Sequence, residues 1–317
     1  MRFILAVTLA LAAALAQAQT GSRFSFAIVG DAPYNFFEEP VFVQMLKDIG
    51  KEDVAFVVHV GDFKSGSSPC SNEMFEDRKR MFQASRHPFI YVPGDNDWTD
   101  CHRRGAGGFD PLERLAKLRG MFYADDDSLG VGKLNLEHQS ADPRFAEFRE
   151  NLRWTFEGVL FIALNIPGSN NNLGRTREMD AEHERRSLAN AAWLAQGFDL
   201  AGKKASAAVF VVIQANPDFE MSFILKRNKA DGYAKFKKEL LAHTLAFSGK
   251  VVLVHGDTHR FQVDQPMVDP VTSKPVEHFT RIESFGSPYV DWVKVSIDPA
   301  DQKLFSIQTG RQMGPER

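Results

Sequence analysis

Short apolar, β-branched runs alternate with amphipathic stretches over the first hundred residues of this chain. Each run is typical of a buried parallel strand, and each stretch places apolar residues along one helical face. The predicted order is strand 24–29, helix 38–49, strand 54–60, helix 73–85 and strand 88–92. This alternation implies right-handed crossovers and a parallel sheet. Asp110 and Pro111 predict the start of another helix, since Asp suits the N-cap and Pro the first turn.

The second half of the chain mixes hairpin, turn and α/β patterns. Glu157-Gly158 separates two apolar runs and predicts a β-hairpin. Ser169 to Asn172 predict a turn or, alternatively, the lining of a cleft. The remaining predicted elements are helix 176–196, strand 207–213, helix 233–247, strand 250–254, and strands 279–282, 292–297 and 304–307. The last three strands are expected to pair antiparallel with one another.

The N-terminus has the pattern of a cleavable signal peptide. Arg2 supplies a positive charge, Phe3 to Ala16 form an apolar stretch, and Ala16-Gln17-Ala18 offers small residues for cleavage. The stretch is short for a membrane span, and an uncleaved anchor is the alternative. We expect a signal peptide at residues 1–18, a single domain at residues 19–317, and a periplasmic or secreted protein. No later stretch is apolar enough to cross a membrane, so no membrane contact is expected after cleavage.

The charge pattern argues against nucleic acid as a partner. The 317-residue chain has a formal net charge of −3, with 38 Lys and Arg against 41 Asp and Glu. Its basic clusters are short and lie in predicted helices, where they are typical of solvated faces. The sequence leaves the oligomeric state open.

Cys70 and Cys101 are the two cysteines of the chain. Each lies in a short loop that follows an apolar run. An exported protein folds in an oxidising compartment. A disulfide that joins the two loops is therefore predicted. Two free thiols, or one cysteine as a metal ligand, are the alternatives.

Four Gly-Asp pairs end apolar runs. They are Gly30-Asp31, Gly61-Asp62, Gly94-Asp95 and Gly256-Asp257. Ligands bind at the carboxyl ends of strands in open α/β sheets, so four carboxylates at such ends can converge on one point. Converging carboxylates require a cation. The alternative is that each pair only turns the chain, because Gly and Asp are common turn residues.

The order of these motifs resembles that of the calcineurin-like metallophosphoesterases from about Phe24 to Arg260. It runs Asp, Gly-Asp, a Gly-Asp-Asn-Asp block, a polar residue after a strand, and Gly-Asp-Thr-His. The resemblance implies an α/β fold, a calcineurin-like α/β/β/α sandwich of two mixed sheets flanked by helices. It also implies a centre of two divalent metal ions that hydrolyses phosphate esters.

The resemblance assigns six metal ligands, which are Asp31, Asp62, Asp95, Gln214, Asp257 and His259. Asp62 holds the metal-bridging position, and Asn216 is the alternative to Gln214. The chain departs from the family pattern where Pro33, Asn96 and Asp257 stand in place of histidines. Oxygen ligands in place of imidazole favour Mg, Mn, Fe or Ca over Zn.

The resemblance further implies hydrolysis of a small phosphorylated substrate, a phosphate mono- or diester, by a metal-activated water. The catalytic candidates are Asn96, Asp97 and His102, the last as a loop residue that could supply the proton that Asn96 lacks. Arg103 and Arg104 either clamp phosphate oxygens or are exposed loop residues. The expected function is an exported metal-dependent phosphoesterase. The alternatives are a weak or inactive relative that binds metal or a phosphorylated ligand, and an unrelated exported α/β binding protein.

Overall fold

The computed structural model describes residues 21–219 and 230–313, so the predicted signal peptide at 1–18 lies outside the described residues. The strands are β1 (Phe24–Val29), β2 (Val57–His59), β3 (Phe89–Tyr91), β4 (Glu137–His138), β5 (Leu152–Phe156), β6 (Val159–Ala163), β7 (Ala208–Val212), β8 (Lys250–His255), β9 (Gln262–Asp264), β10 (Phe279–Glu283), β11 (Val293–Ile297) and β12 (Phe305–Thr309). The helices are α1 (Glu38–Ile49), α2 (Asn72–Gln83), α3 (Pro111–Phe122), α4 (Gly168–Asn171, a single turn with left-handed backbone), α5 (Arg177–Lys203), α6 (Ala234–Ala246) and the short α7 (Gly310–Met313).

Two helices begin at the capping side chains that mark their starts in the sequence. Asp110 accepts hydrogen bonds from the first amides of α3, and Thr176 accepts one from Met179 at the start of α5. α5 continues past the predicted end at residue 196 because Phe198 and Ala201 extend its buried face. Among these helices, none combines the length and apolar character needed to cross a bilayer.

Two mixed sheets form the middle of the molecule and confirm the predicted sandwich. One has five strands in the order β12-β11-β1-β2-β3, and the other has seven in the order β4-β5-β6-β7-β8-β10-β9. β1, β2 and β3 are parallel, as the strand–helix alternation predicts. β6, β7, β8 and β10 form the parallel part of the larger sheet. Buried side chains of α1 to α3 pack with the first sheet, and those of α5 and α6 pack with the second.

Aromatic side chains fill the space between the sheets. The ring centroid of Phe26 on β1 lies 5.3 Å from that of Phe161 on β6 and 5.4 Å from that of Phe210 on β7. All three side chains are buried. These contacts place the sheets face to face, and the ends of their parallel strands lie along a common edge.

The expected antiparallel run of the three C-terminal strands is wrong for the first of them. β10 pairs parallel with β8 in the larger sheet, whereas β11 and β12 pair antiparallel in the smaller one, where β11 also borders β1. The chain therefore changes sheets between Glu283 and Val293. Local hydrophobic pattern identifies a strand but carries no information about its partner, so the sequence did not distinguish these pairings.

Two local predictions are confirmed. Cys70 and Cys101 form a disulfide, with their Cα atoms 5.7 Å apart. β5 and β6 form the expected hairpin, and its turn residues Glu157 and Gly158 have φ of 43° and 77°. The disulfide ties the loop after β2 to the loop after β3, close to the common edge of the sheets.

Candidate functional site

Four carboxylates meet at the edge where the parallel strands end. We call Asp31, Asp62, Asp95 and Asp257 the strand-end carboxylates; they follow β1, β2, β3 and β8. The Asp257 amide donates to both carboxylate oxygens of Asp31, at 3.1 Å each. A Cβ placed on Gly168 would lie 2.8 Å from one carboxylate oxygen of Asp95 and 2.8 Å from one of Asp257. Side chains from both sheets therefore converge, and a side chain at position 168 would displace the carboxylates of Asp95 and Asp257.

Asp62 lies at the middle of this group. One of its oxygens accepts from the Asn96 amide at 3.0 Å. The other accepts from the Asn96 side chain at 2.8 Å, the Tyr34 hydroxyl at 3.1 Å and the Gln214 side chain at 3.2 Å. The donors come from loops of both sheets, so Asp62 is oriented from several directions.

Asp97 organises the backbone around these residues. It accepts hydrogen bonds from the backbone amides of Asp62, Phe63 and Gly94 at 2.9, 3.0 and 2.8 Å, and from the Tyr91 hydroxyl at 2.7 Å. The side chain is fully buried, and burial raises the pKa of its carboxyl group. The geometry gives this predicted catalytic residue a positioning role, because its oxygens already hold the loops after β2 and β3.

His259 presents one ring nitrogen to the site. Its Nδ1 lies 2.7 Å from the Ser287 carbonyl oxygen, which makes Nδ1 the protonated nitrogen in the neutral ring. Its Nε2 lies 3.2 Å from the Tyr34 hydroxyl and 3.8 Å from an Asp31 oxygen. The lone pair of Nε2 is therefore directed towards the strand-end carboxylates, as a metal ligand requires.

Gln214 links the two sheets. Its amide nitrogen donates to Asp62, and its amide oxygen accepts from the Gly168 amide at 2.6 Å. One lone pair of the oxygen that would ligate a metal ion is thus engaged by the Gly168 amide. The alternative ligand, Asn216, contributes its backbone amide, which donates to Asp257 at 2.9 Å.

His102 lies on the outer side of the loop that carries Cys101. The side chain is exposed, and its Nδ1 lies 2.9 Å from the Thr99 carbonyl oxygen and 3.1 Å from an Arg175 nitrogen. Both contacts are within the loop region and neither is with a strand-end carboxylate. The proposed proton donor is therefore not in contact with the predicted ligands.

Three polar residues of the site were not singled out as functional by the sequence. Tyr34 contacts Asp62 and His259. Ser169 donates at 2.8 Å to Asp95, and Arg175 forms an ion pair with Asp100 at 3.2 Å. Tyr34 could have been found because it follows Asp31 in the same loop. Ser169 lies in the loop that was predicted to be a turn or the lining of a cleft. No sequence motif pointed to Arg175.

The backbone of the site is held in unusual conformations. Asp31, Asp62, Asp257 and His259 have φ of 48°, 58°, 82° and 62°. Ser169 to Asn172 form a continuous left-handed turn, with φ of 50°, 57°, 54° and 66°. Each such residue costs about 1–3 kcal/mol and persists where surrounding contacts over-determine it, typically at functional sites. Their clustering at one edge supports this edge as the functional site.

The electrostatics of the group fit a bound cation. Burial raises the pKa of Asp31, Asp62 and Asp95, and repulsion from neighbouring carboxylates raises each further. Burial raises the pKa of Asp257 to about 6. Within residues 21–219 and 230–313, no three acidic, His or Cys side chains are already spaced to hold one ion. The donor set nevertheless suits divalent cations, because they would supply the counter-charge that these buried oxygens lack.

Solved structures with a similar fold include one of PhoD, 12% identical with a TM-score of 0.52, and a dimetal phosphatase from Danio rerio, 12% identical with a TM-score of 0.50. The first alignment covers 88% of this chain and 64% of the PhoD chain, so this chain spans less than two thirds of that protein. The second covers 90% of this chain and 98% of the other. At such identity the likeness shows the fold alone. Curated proteins give no match.

The family model of the calcineurin-like phosphoesterases matches residues 24–261. This range begins at β1 and ends just beyond His259, so it contains all six predicted metal ligands. It also takes in most of the chain and the strands β1 to β8, which belong to both sheets. On this evidence, the chain belongs to the calcineurin-like phosphoesterase family.

Proposed function

We propose that this protein is an exported, metal-dependent phosphoesterase that hydrolyses small phosphate mono- or diesters. The observation that carries the proposal is the convergence of the strand-end carboxylates from both sheets at one edge, beside the Nε2 atom of His259. Buried carboxylates that repel one another are stabilised by divalent cations, and such cations are the common cofactors of phosphoryl-group hydrolysis.

The residues of the chain have separate tasks in this proposal. Asp31, Asp62, Asp95, Asp257 and His259 would hold the ions. When bound, divalent ions would polarise the phosphoryl group and lower the pKa of a nearby water. Asp97 fixes the loops that carry Asp62 and Asp95. Gln214 fixes Asp62 relative to Gly168, and its direct ligation of an ion stays a prediction.

The proposed ions are two per chain, with Mg, Mn, Fe or Ca preferred over Zn. The support is the donor set, in which oxygen atoms outnumber the single imidazole. Metal analysis of the purified protein tests this preference. Two tightly bound zinc ions per chain would contradict it.

The central experiment compares the wild-type protein with Asp62→Asn. Chelator-treated protein is assayed on 4-nitrophenyl phosphate and bis(4-nitrophenyl) phosphate after addition of Mg²⁺, Mn²⁺, Fe²⁺, Ca²⁺ or Zn²⁺ in turn. We expect turnover with at least one oxygen-preferring ion, and a fall of about 1,000-fold in Asp62→Asn. Asp110→Asn is the matched control, since this aspartate caps α3 and Asn caps equally well.

A second candidate function is a weak or inactive relative that binds metal or a phosphorylated ligand. The observation that favours it is Asn96, whose amide has no titratable proton and whose nitrogen donates to Asp62 at 2.8 Å. In that case metal ions would bind to the wild-type protein, detected by calorimetry, while turnover would equal that of Asp62→Asn with every ion tested.

Export is proposed from the N-terminal sequence and is supported by the Cys70–Cys101 disulfide. Disulfides persist in oxidising compartments and are rare in reducing ones. N-terminal sequencing of the protein recovered from outside the cytoplasm is expected to begin at Gln19. Recovery of the full-length chain from the cytoplasm would contradict this part of the proposal.

A further inference from the structure

Two guanidinium groups lie beside the strand-end carboxylates and share one buried anchor. Asp100 is 1% exposed; one of its oxygens lies 2.5 Å from an Arg103 nitrogen and the other 3.2 Å from an Arg175 nitrogen. We call Arg103 and Arg175 the guanidinium pair. They are separated along the sequence by the whole segment from α3 to α4, so the fold brings them together.

Contacts with Ser169 and Asn96 place the pair at the edge of the candidate metal centre. The Ser169 hydroxyl oxygen lies 2.8 Å from an oxygen of Asp95, 2.8 Å from an oxygen of Asp100 and 3.4 Å from an Arg103 nitrogen. A Cβ on Gly66 would lie 2.7 Å from the Asn96 side-chain oxygen and 2.9 Å from the other terminal nitrogen of Arg103. Arg103 therefore lies next to both Asn96 and the hydroxyl that binds Asp95.

The charges of the two groups are complementary to a phosphate dianion. The four strand-end carboxylates would offset the charge of two divalent ions and leave no positive excess at the centre. The guanidinium pair carries two positive charges against the single carboxylate of Asp100. Arg103 is half exposed, so N–H groups not used on Asp100 or Ser169 face solvent. Guanidinium N–H groups match the spacing of phosphate oxygens.

We propose that the guanidinium pair is a phosphate-recognition subsite that selects dianionic phosphate monoesters over diesters. The inference rests on the proposed phosphoesterase function and names its substrate class. A monoester presents terminal oxygens that carry two charges, which the pair can bind while ions held by the strand-end carboxylates would polarise the phosphoryl group. A diester carries one charge and places a second organic group where the pair requires an oxygen.

The test measures kcat/KM for 4-nitrophenyl phosphate and bis(4-nitrophenyl) phosphate with the full mature protein. In Arg103→Gln and Arg175→Gln, we expect the monoester value to fall by about 10- to 100-fold and the diester value by less than about 3-fold. The inhibition constant of inorganic phosphate is expected to rise by about 10-fold or more. Arg103→Lys, which keeps the charge but loses the planar fork, is expected to recover part of the loss.

Arg104→Gln is the matched control. Arg104 adjoins Arg103 in the same loop and is exposed, and in the described part of the chain its side chain contacts neither Asp100 nor Ser169. This variant is expected to retain the wild-type preference. Equal losses on both esters in Arg103→Gln, or behaviour equal to that of Arg104→Gln, would overturn the proposal.

A direct binding measurement separates this inference from the proposed function. If the wild-type protein hydrolyses neither ester with any ion, the proposed function fails. Calorimetric titration of the Mn²⁺-loaded protein with inorganic phosphate then shows whether the guanidinium pair binds phosphate. Binding that weakens about 10-fold in Arg103→Gln but not in Arg104→Gln supports it, whereas absent binding or equal binding by all variants rejects it.

Discussion

The strand-end carboxylates and the guanidinium pair lie side by side but are held in different ways. Asp31, Asp62 and Asp95 are 0%, 2% and 8% exposed, and short side chains join them directly to the ends of strands. The side chains of Arg103 and Arg175 are 50% and 24% exposed and extend from loops. Sites on rigid elements fix atoms more closely than sites on loops. The difference matches the proposed division, in which the carboxylates would hold the metal ions and the arginines would bind the substrate phosphate.

Apart from Asp62→Asn, Asp97→Asn is expected to have the largest effect, because Asp97 holds the loops that carry the buried carboxylates. The new amide group would face donors that now reach a carboxylate, and at least one buried N–H would lose its partner. We expect kcat/KM to fall by about 100-fold and the melting temperature by about 5 °C. Asp110→Asn is the control for both measurements. An unchanged melting temperature in Asp97→Asn would show that the loops after β2 and β3 do not depend on this carboxylate.

Metal removal is expected to have the next largest effect and to depend on pH. The pKa of Asp31 and Asp62 is raised by burial, and that of Asp257 is raised to about 6. A carboxyl group with a raised folded-state pKa stabilises the fold below about pH 4, the unfolded value, and this contribution is lost as the pH rises through the folded value. The metal-free protein therefore becomes less stable between pH 4 and pH 7 through these groups.

Melting temperatures with chelator and with Mn²⁺ test this at pH 5 and pH 7.5. We expect Mn²⁺ to raise the melting temperature by about 5 °C or more at pH 7.5 and by much less at pH 5. His59, whose pKa burial lowers to about 3, titrates in the opposite sense, so the comparison is made between samples with and without Mn²⁺ at the same pH. An equal rise at both pH values would contradict the role of the carboxylates.

Tyr34→Phe tests a residue that contacts the buried carboxylates but is not itself a predicted metal ligand. It removes one hydroxyl that contacts Asp62 and His259 and leaves the ring in place. We expect Mn²⁺ affinity to fall by about 10-fold, measured by calorimetry, with little change in melting temperature. Tyr289→Phe is the control, because that tyrosine is 58% exposed. Equal Mn²⁺ affinities in Tyr34→Phe and Tyr289→Phe would show that the Tyr34 hydroxyl does not contribute to metal binding.

His102→Gln is expected to have the smallest effect. The ring is exposed and contacts Thr99 and Arg175, so its loss perturbs only the loop side of the site. We expect kcat/KM to change by less than about 3-fold at each pH tested. A loss of more than 100-fold that is greatest at the lowest pH tested, as the loss of a general acid requires, would restore His102 as the proton donor.

The sequence predicted the elements well where the signal is local. The apolar run of β1 and the amphipathic stretch of α1 gave the correct bounds, and Asp110 and Thr176 marked the starts of their helices. The parallel pairing of β10 with β8 could not be predicted, because it depends on packing between segments that share no local signal.

The same limit applies to the site. The strand-end carboxylates were predicted to meet because each follows an apolar run, and the structure brings them together at one edge. Ser169 and Arg175 reach the site only through contacts with Asp95 and Asp100, which lie far away in sequence. Gln214 was identified by position, but which of its amide atoms faces Asp62 depends on the Gly168 amide. Such pairings are fixed by tertiary structure rather than by residue type.

The left-handed turn from Ser169 to Asn172 restricts how this protein can be re-engineered. Four successive residues with positive φ exclude β-branched and bulky amino acids almost completely, whatever contacts they would make. A library that randomises these positions freely would be dominated by variants in which Ser169 no longer reaches Asp95. A library that keeps Ser169 and restricts the next three positions to Gly, Asn, Asp and Ser would keep that hydroxyl contact, and wider diversity belongs at the exposed Arg104.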